Sequence, residues 1–357
     1  MSQHMKIIVS VVAGLLLLMA TLGGLAWYQI GQPLYEPGMV RAGKNLRAPL
    51  VPPAQSVGDS FWQVEDDIQL HHFSVGEGRA VLVIHGGPGY PSAQAWSGLE
   101  PLTTAYTFHY YDQRGSGESS RPIDRFTSTN YYENLTRLDK TLGLGVQLAD
   151  IERIRQILGE EKLILIGHSF GGFLAALYAA EFPEHVEALI LIAPADVLVM
   201  PQTDGGLFEI VRARLSSAKQ ADYEAYLKRY LDFQNIFQNS ESDLVALNDE
   251  FAQYYSAVAP VPSLPAGKTG GWMVQALYFS MGQRHDYRRP LRAVNAPVLV
   301  IHGAGDLQPE KASRLYVEAF PNARLAIVEG ATHFPYAEQP QQFAQIVGDF
   351  LNTLPQP

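Results

Sequence analysis

Ser169 lies in Gly167-His168-Ser169-Phe170-Gly171, a G-x-S-x-G run set between the apolar stretch KLILIG and the helical stretch FGGFLAALYAAEF. A serine in a sharp strand-to-helix turn exposes its hydroxyl beside outward-pointing backbone N–H groups, and glycine neighbours make such a turn feasible. Serine is a weak nucleophile at neutral pH, so it needs a base, and the base needs an orienting group. Two late loops supply both: Asp306 in VLVIHGAGDLQP and His333 in AIVEGATHFPYAEQP, each just past a strand-like run. The chain order serine, acid, histidine is that of a nucleophile-elbow triad. The chemistry open to this set is acyl transfer through a covalent intermediate.

Such a reaction passes through an oxyanion that needs preorganised donors. One is the N–H of Phe170, directly after the serine. A second is expected from the loop HGGPG, residues 85–89, which ends the strand-like run AVLVI and carries almost no side chains. Glycine lets that backbone approach a substrate closely. Competing groups fit less well. Asp196 also follows a strand but opens a long insertion. His302 falls within its strand, and His71, His72, His109, His185 and His285 lack the late-loop position. His168 adjoins the serine, so its side chain is expected to point elsewhere. Neither H-E-x-x-H nor G-x-G-x-x-G with a downstream acidic residue occurs, so neither a metal nor an organic cofactor is expected.

These residues need a scaffold, and the hydrophobic pattern provides one. Short apolar runs at 80–85, 106–112, 162–167, 188–193, 297–302 and 324–329 read as strands buried on both faces, as in parallel sheets covered by helices. Helical patterns at 147–159, 170–182, 309–320 and 340–354 alternate with them, and 61–75 reads as an antiparallel hairpin. The expected class is α/β, a mostly parallel doubly wound sheet. Residues 61–195 and 291–357 would form the core. The interval 196–290 has no buried strand and is rich in aromatic helical stretches, so it reads as a helical cap.

The 357 residues carry a formal net charge of -10, without a basic run, which argues against a nucleic-acid partner. There are no cysteines, which excludes a disulfide framework and a thiol nucleophile. Ile7 to Ile30 is a run of 24 residues without a charge, enough to span a bilayer core of about 30 Å. Residues 1–30 therefore read as a membrane anchor or, with cleavage after Gly24-Leu25-Ala26, as a signal segment. Either reading exports the catalytic part to the periplasm or the cell exterior. The Pro- and Gly-rich stretch 31–60 reads as a linker.

Together HGGPG, DQRGSGES (112–119), GHSFGG and the late aspartate and histidine resemble the prolyl iminopeptidase branch of the α/β-hydrolases. The resemblance spans roughly residues 65 to 354 and is poor in the cap. It implies an α/β-hydrolase fold, with Ser169 as nucleophile, His333 as base, Asp306 as its partner, and Gly87 and Phe170 as oxyanion donors. It also implies that His85 and Gly86, with Asp112 and Arg114 from the next strand, support the site loops. That branch holds a substrate amino terminus with cap carboxylates, for which Glu209, Glu224, Glu241, Asp249 and Glu250 are the candidates here. The elbow departs from the branch's G-G-S-W-G, and Gly-His-Ser-Phe-Gly is shared with many esterases. The leading expectation is release of N-terminal proline or other residues from short peptides. The alternative is a carboxylesterase or lactonase acting on small acyl compounds. A carboxylate cluster in the pocket favours the first, and a mostly apolar pocket the second.

Overall fold

The structure is a computed structural model that describes residues 31–56, 60–202 and 205–355. The segment 7–30, expected as anchor or signal, lies outside the described residues. No helix among the described residues is long and apolar enough to cross a membrane.

The described residues form ten strands: β1 Phe61–Glu65, β2 Ile68–Val75, β3 Arg79–Ile84, β4 Tyr106–Tyr111, β5 Leu163–His168, β6 Val186–Ile192, β7 Val199–Met200, β8 His285–Asp286, β9 Val298–Gly303 and β10 Ala323–Val328. Eight of them form one sheet in the order β1-β2-β4-β3-β5-β6-β9-β10. The hairpin β1–β2 joins β4 antiparallel, and every pairing from β4 to β10 is parallel. Successive residues alternate between two buried layers: Leu82 and Leu165 face one, Val81 and Ile164 the other. Both faces are covered, which is why these strands are apolar throughout.

The longer helices are α1 Tyr131–Leu142, α2 Leu144–Leu158, α3 Phe170–Glu181, α4 Leu207–Arg214, α5 Ser217–Tyr230, α6 Glu241–Ser256, α7 Trp272–Met281, α8 Glu310–Ala319 and α9 Pro340–Leu351. The sequence patterns did not mark α1. Its start is set by Asn130, whose side chain accepts from the N–H groups of Tyr132 and Glu133, a standard N-cap arrangement.

The insertion is closed at its neck by β7 pairing antiparallel with β8. Its helices divide. Tyr223, Tyr226 and Tyr230 of α5 bury into the layer that covers one sheet face. Trp272, Met273, Ala276 and Leu277 of α7 belong to the opposite layer, with Leu138, Leu148 and Leu174 of α1, α2 and α3. The last helix of the interval is thus built into the core.

The linker expected at 31–60 needs correction. Tyr35 and Val40 are buried in the core. The Glu181 carboxylate, at the end of α3, accepts from the Tyr35 hydroxyl at 2.9 Å and from the Gly38 and Arg41 N–H groups at 2.7 and 3.1 Å. Arg153 of α2 donates to the carbonyls of Ala48 and Pro49 at 3.0 and 2.8 Å. A stretch so held is part of the folded body, whatever its proline content.

Candidate active site

The elbow is built from backbone. Ser169 has φ 52° and ψ -119°, a left-handed conformation that a side-chain-bearing residue adopts only when its surroundings impose it. Its N–H donates to Ile192 O at 2.8 Å, and its carbonyl accepts from Gly172 at 2.9 Å and Ala195 at 3.0 Å. The turn is pinned from β6 on one side and α3 on the other. Phe170 opens α3, so its N–H is among the helix-start donors without an intrahelical partner.

The loop after β3 lies against this turn. A Cβ on Gly86 would come within 2.8 Å of both the Ser169 Cβ and the His168 carbonyl oxygen. Gly87 has φ +115°, a backbone state side-chain-bearing residues rarely adopt. His85 ties the loop to the next strand: its Nε2 accepts from Gln113 N–H at 3.0 Å, so Nδ1 carries the proton and donates to Gly86 O at 3.0 Å. Burial lowers its pKa and keeps the ring neutral.

Asp112 and Arg114 stand behind the site. The Asp112 Oδ2 accepts from Glu118 N–H at 2.9 Å and faces His71 Nδ1 at 3.1 Å, closing its own loop. Arg114, fully buried, forks onto both Asp150 oxygens at 2.6 Å and onto Glu65 at 2.7 Å. It fastens the 112–119 loop to α2 and β1.

Asp306 and His333 come together from the loops after β9 and β10. His333 Nδ1 lies 2.8 Å from Asp306 Oδ2, with both residues buried. Burial alone would raise the Asp306 carboxyl. The His333 charge and hydrogen bond, with Gln308 N–H at 2.9 Å, outweigh it and hold the carboxyl below its usual range. Ser169, His333 and the loop of Gly86 and Gly87 open on one cavity of about 1660 Å³.

Three supporting residues lack any local sequence signal. His168, expected to point elsewhere, is packed beside the histidine: its Nε2–H donates to the His333 carbonyl at 2.8 Å. Its ring lies 4.8 Å from the His333 ring and within 6.1 Å of Trp96, Phe334 and Tyr336. Burial and the neighbouring His333 charge push its pKa down to about 3. Glu338 clamps both neighbours of His333, accepting from Thr332 N–H at 2.6 Å and Phe334 N–H at 3.0 Å. The Gln308 amide accepts from Asp196 N–H at 2.9 Å and donates to Ala193 O at 3.1 Å, joining the acid loop to the end of β6.

The other histidines are engaged elsewhere, His302 with Ser313, His185 with Glu152, His109 with Ser74 and His285 with Val197 O, while His72 stacks on Trp62. None of the five acidic cap candidates lines the cavity. Glu241 caps α7 through Trp272 N–H at 2.6 Å, and Asp249 accepts from Gly267 N–H and the Thr269 hydroxyl. Glu224 pairs with Arg212 and Glu250 with Arg229 at the surface, and Glu209 is exposed. The carboxylates on the cavity wall are Asp196 and Glu338.

Residues 79–340 match the family described as alpha/beta hydrolase fold. This chain belongs to that family. A proline iminopeptidase of Heyndrickxia coagulans is 27% identical over 299 residues, covering 78% of this α/β-hydrolase and 92% of the relative. A pimeloyl-[acyl-carrier protein] methyl ester esterase of Serratia marcescens is 26% identical over 287 residues, covering 79% and 98%. An esterase of Exiguobacterium antarcticum superposes with a TM-score of 0.55 at 20% identity, covering 82% and 99%, a likeness of fold.

Proposed function

We propose that this hydrolase cleaves carboxylic esters with an apolar acyl group through an acyl-enzyme on Ser169. The observation that carries the ester reading is the cavity wall. Aromatic and aliphatic side chains dominate it, and of its two carboxylates Glu338 is already committed to Thr332 and Phe334. A protonated amine there would lose its water without a paired cluster of charges in return, whereas an ester loses little.

In the proposed mechanism, His333 Nε2 takes the hydroxyl proton as Ser169 Oγ attacks the carbonyl carbon. Asp306 fixes the tautomer by accepting from Nδ1. The N–H groups of Gly87 and Phe170 receive the oxyanion. The C–O bond to the alcohol breaks, and His333 returns the proton to the departing oxygen. Water then attacks the acyl-enzyme by the same route. His168 and Glu338 hold the base from its backbone side.

A second reading, release of an N-terminal residue, is favoured by Asp196. It lies on the cavity wall, half-buried, and burial raises its carboxyl pKa. The proline iminopeptidase relative supports this reading too. We also propose that residues 7–30 anchor the chain, with the hydrolase body exported, on the strength of their uncharged length.

The test compares p-nitrophenyl butyrate with the p-nitroanilides of proline, alanine and leucine, with Ser169→Ala as control. Ester turnover should dominate, and a fluorophosphonate should label Ser169 by mass spectrometry. Anilide turnover exceeding ester turnover, and abolished by blocking the free amine, would replace the ester reading with the aminopeptidase one.

A further inference from the structure

The cavity is larger than the reaction needs. At about 1660 Å³ it exceeds the roughly 300–1,000 Å³ of pockets built for small ligands. One end holds Ser169, His333 and the 86–89 loop, and the lining extends to Gln32, Leu34, Leu135 and Leu231. Helix α7 connects these regions. Just before its start, Gly270 N–H donates to Gly89 O at 2.7 Å, and near its end Ser280 O accepts from Leu34 N–H at 2.9 Å. Val274, Tyr278 and Phe279 line the cavity along the way. From Val274 to Gly282 the helix advances about 12 Å at 1.5 Å per residue, so the lining continues at least that far from the oxyanion loop.

The far arm is uncharged and mostly apolar, with Gln32, Gln234 and Gln283 among its lining. Tyr131, Phe233 and Phe279 form an aromatic wall with ring separations of 5.5 and 6.5 Å, and among the described residues no lysine or arginine lines the cavity. Its mouth is apolar too. Among the described residues five large hydrophobic side chains are left exposed, and three of them, Tyr131, Tyr132 and Leu231, line this cavity. Beside them Gln283 N–H donates to Gly31 O at 3.0 Å, and Gly31 directly follows the uncharged run from Ile7 to Ile30.

We infer that the far arm holds a long acyl chain, and that the substrate is a membrane-resident long-chain acyl ester admitted by the mouth beside Gly31. This rests on the serine-esterase and membrane-anchor readings above. The ester carbonyl reaches Ser169 while the tail trails back along α7 toward the bilayer, so the chain passes from one apolar medium to another without crossing water. Ser169 Oγ forms the acyl bond, the head-group alcohol leaves with the proton from His333, and water releases the fatty acid.

The test uses the full chain in phosphatidylcholine vesicles with p-nitrophenyl esters from acetate to dodecanoate and with a vesicle-embedded long-chain monoacylglycerol. Each buried methylene is worth up to about fourfold in kcat/KM, so the rate should climb steeply from butyrate to octanoate. Leu135→Trp, which narrows the arm away from Ser169, should lower the dodecanoate-to-acetate ratio at least tenfold. Tyr132→Asp, at an exposed rim position, should lower monoacylglycerol turnover relative to soluble butyrate at least fivefold. A flat or falling chain-length series, or unchanged ratios in both variants, would overturn the inference while leaving short-ester hydrolysis intact. Absence of turnover on every ester, acetate included, would instead overturn the esterase reading beneath it.

Discussion

The loops at the carboxyl ends of the strands and the cap above them solve different problems with different materials. In the loops, position is fixed by backbone: Ser169 is held between β6 and α3, Gly86 touches it where no Cβ fits, and Asp306 and His333 stand on loops after adjacent parallel strands. Ion pairs behind those loops are fully buried, as with Arg114, Asp150 and Glu65. In the cap, position comes from stacked tyrosines and phenylalanines, and ion pairs such as Arg229–Glu250 sit at the surface. The loops are over-determined, as catalysis at sub-ångström precision demands. The cap supplies shape and apolar area, so its lining can change without disturbing Ser169, Asp306 and His333.

The sharpest way to break this contrast is at the nucleophile. Ser169→Ala should lower kcat by about 10⁴-fold or more while the circular dichroism spectrum and urea midpoint stay near wild type. Retained activity would remove Ser169 from the chemistry. Next comes Arg114→Leu. Removing one partner of a buried ion cluster leaves Asp150 facing only Arg153 and Glu65 facing Arg153 and Arg47, and such losses typically cost about 3–5 kcal/mol. The urea midpoint should fall accordingly, and a drop below 1 kcal/mol would show that the cluster does not brace the 112–119 loop.

The same division decides what could be read from sequence. The strands were legible because residues facing both layers are apolar, and the candidate residues Ser169, Asp306 and His333 could be picked out because each follows a strand end marked by its own local pattern. The supporting residues were not legible, because their partners are chosen by tertiary contact. His168 meets the carbonyl of a residue 165 positions away, and Glu181 holds Gly38 from 143 positions away. Proline and glycine in 31–56 masked a docked segment for that reason. Helix α1 escaped because YYENLTRLDKTL is mostly polar, and its one strong local signal is the Asn130 cap. The acidic cap residues could be counted but not aimed, since which helix face meets the cavity depends on packing.

His168 offers a smaller and more discriminating test. His168→Phe keeps the ring among Trp96, Phe334 and Tyr336 but removes the donor to His333 O, so kcat should fall about 10- to 100-fold with little change in KM. The pH dependence separates its two roles. A histidine held neutral down to about pH 3 in the fold binds a proton near pH 6.5 only when unfolded. Below about 6.5 the unfolded state therefore takes up the proton, and stability drops by about 1.4 kcal/mol per pH unit for each such group. Asp306, whose carboxyl is lowered, contributes stability above its unfolded value near 3.9 that is lost only at more acid pH. Urea titrations between pH 7 and 5 should thus show a shallower loss of stability in His168→Phe than in wild type. An equal slope would mean the native ring is already charged there.

The smallest expected effect lies in the cap, and its smallness is the point. Glu250→Gln removes the surface pair with Arg229, whose guanidinium also lies 5.9 Å from the Tyr226 ring and keeps that contact. Exposed pairs are worth about 0–1 kcal/mol because water and salt screen them, so the urea midpoint should barely move. Glu250 does not line the cavity, so kcat/KM for butyrate should stay within about twofold. An aminopeptidase that gripped the substrate amine with this cap carboxylate, and not with Asp196, makes the opposite forecast, since the carboxylate would be costly to neutralise. A tenfold loss on an amino-acid anilide in Glu250→Gln, with butyrate turnover unchanged, would show that the cap moves to bring this carboxylate onto the substrate.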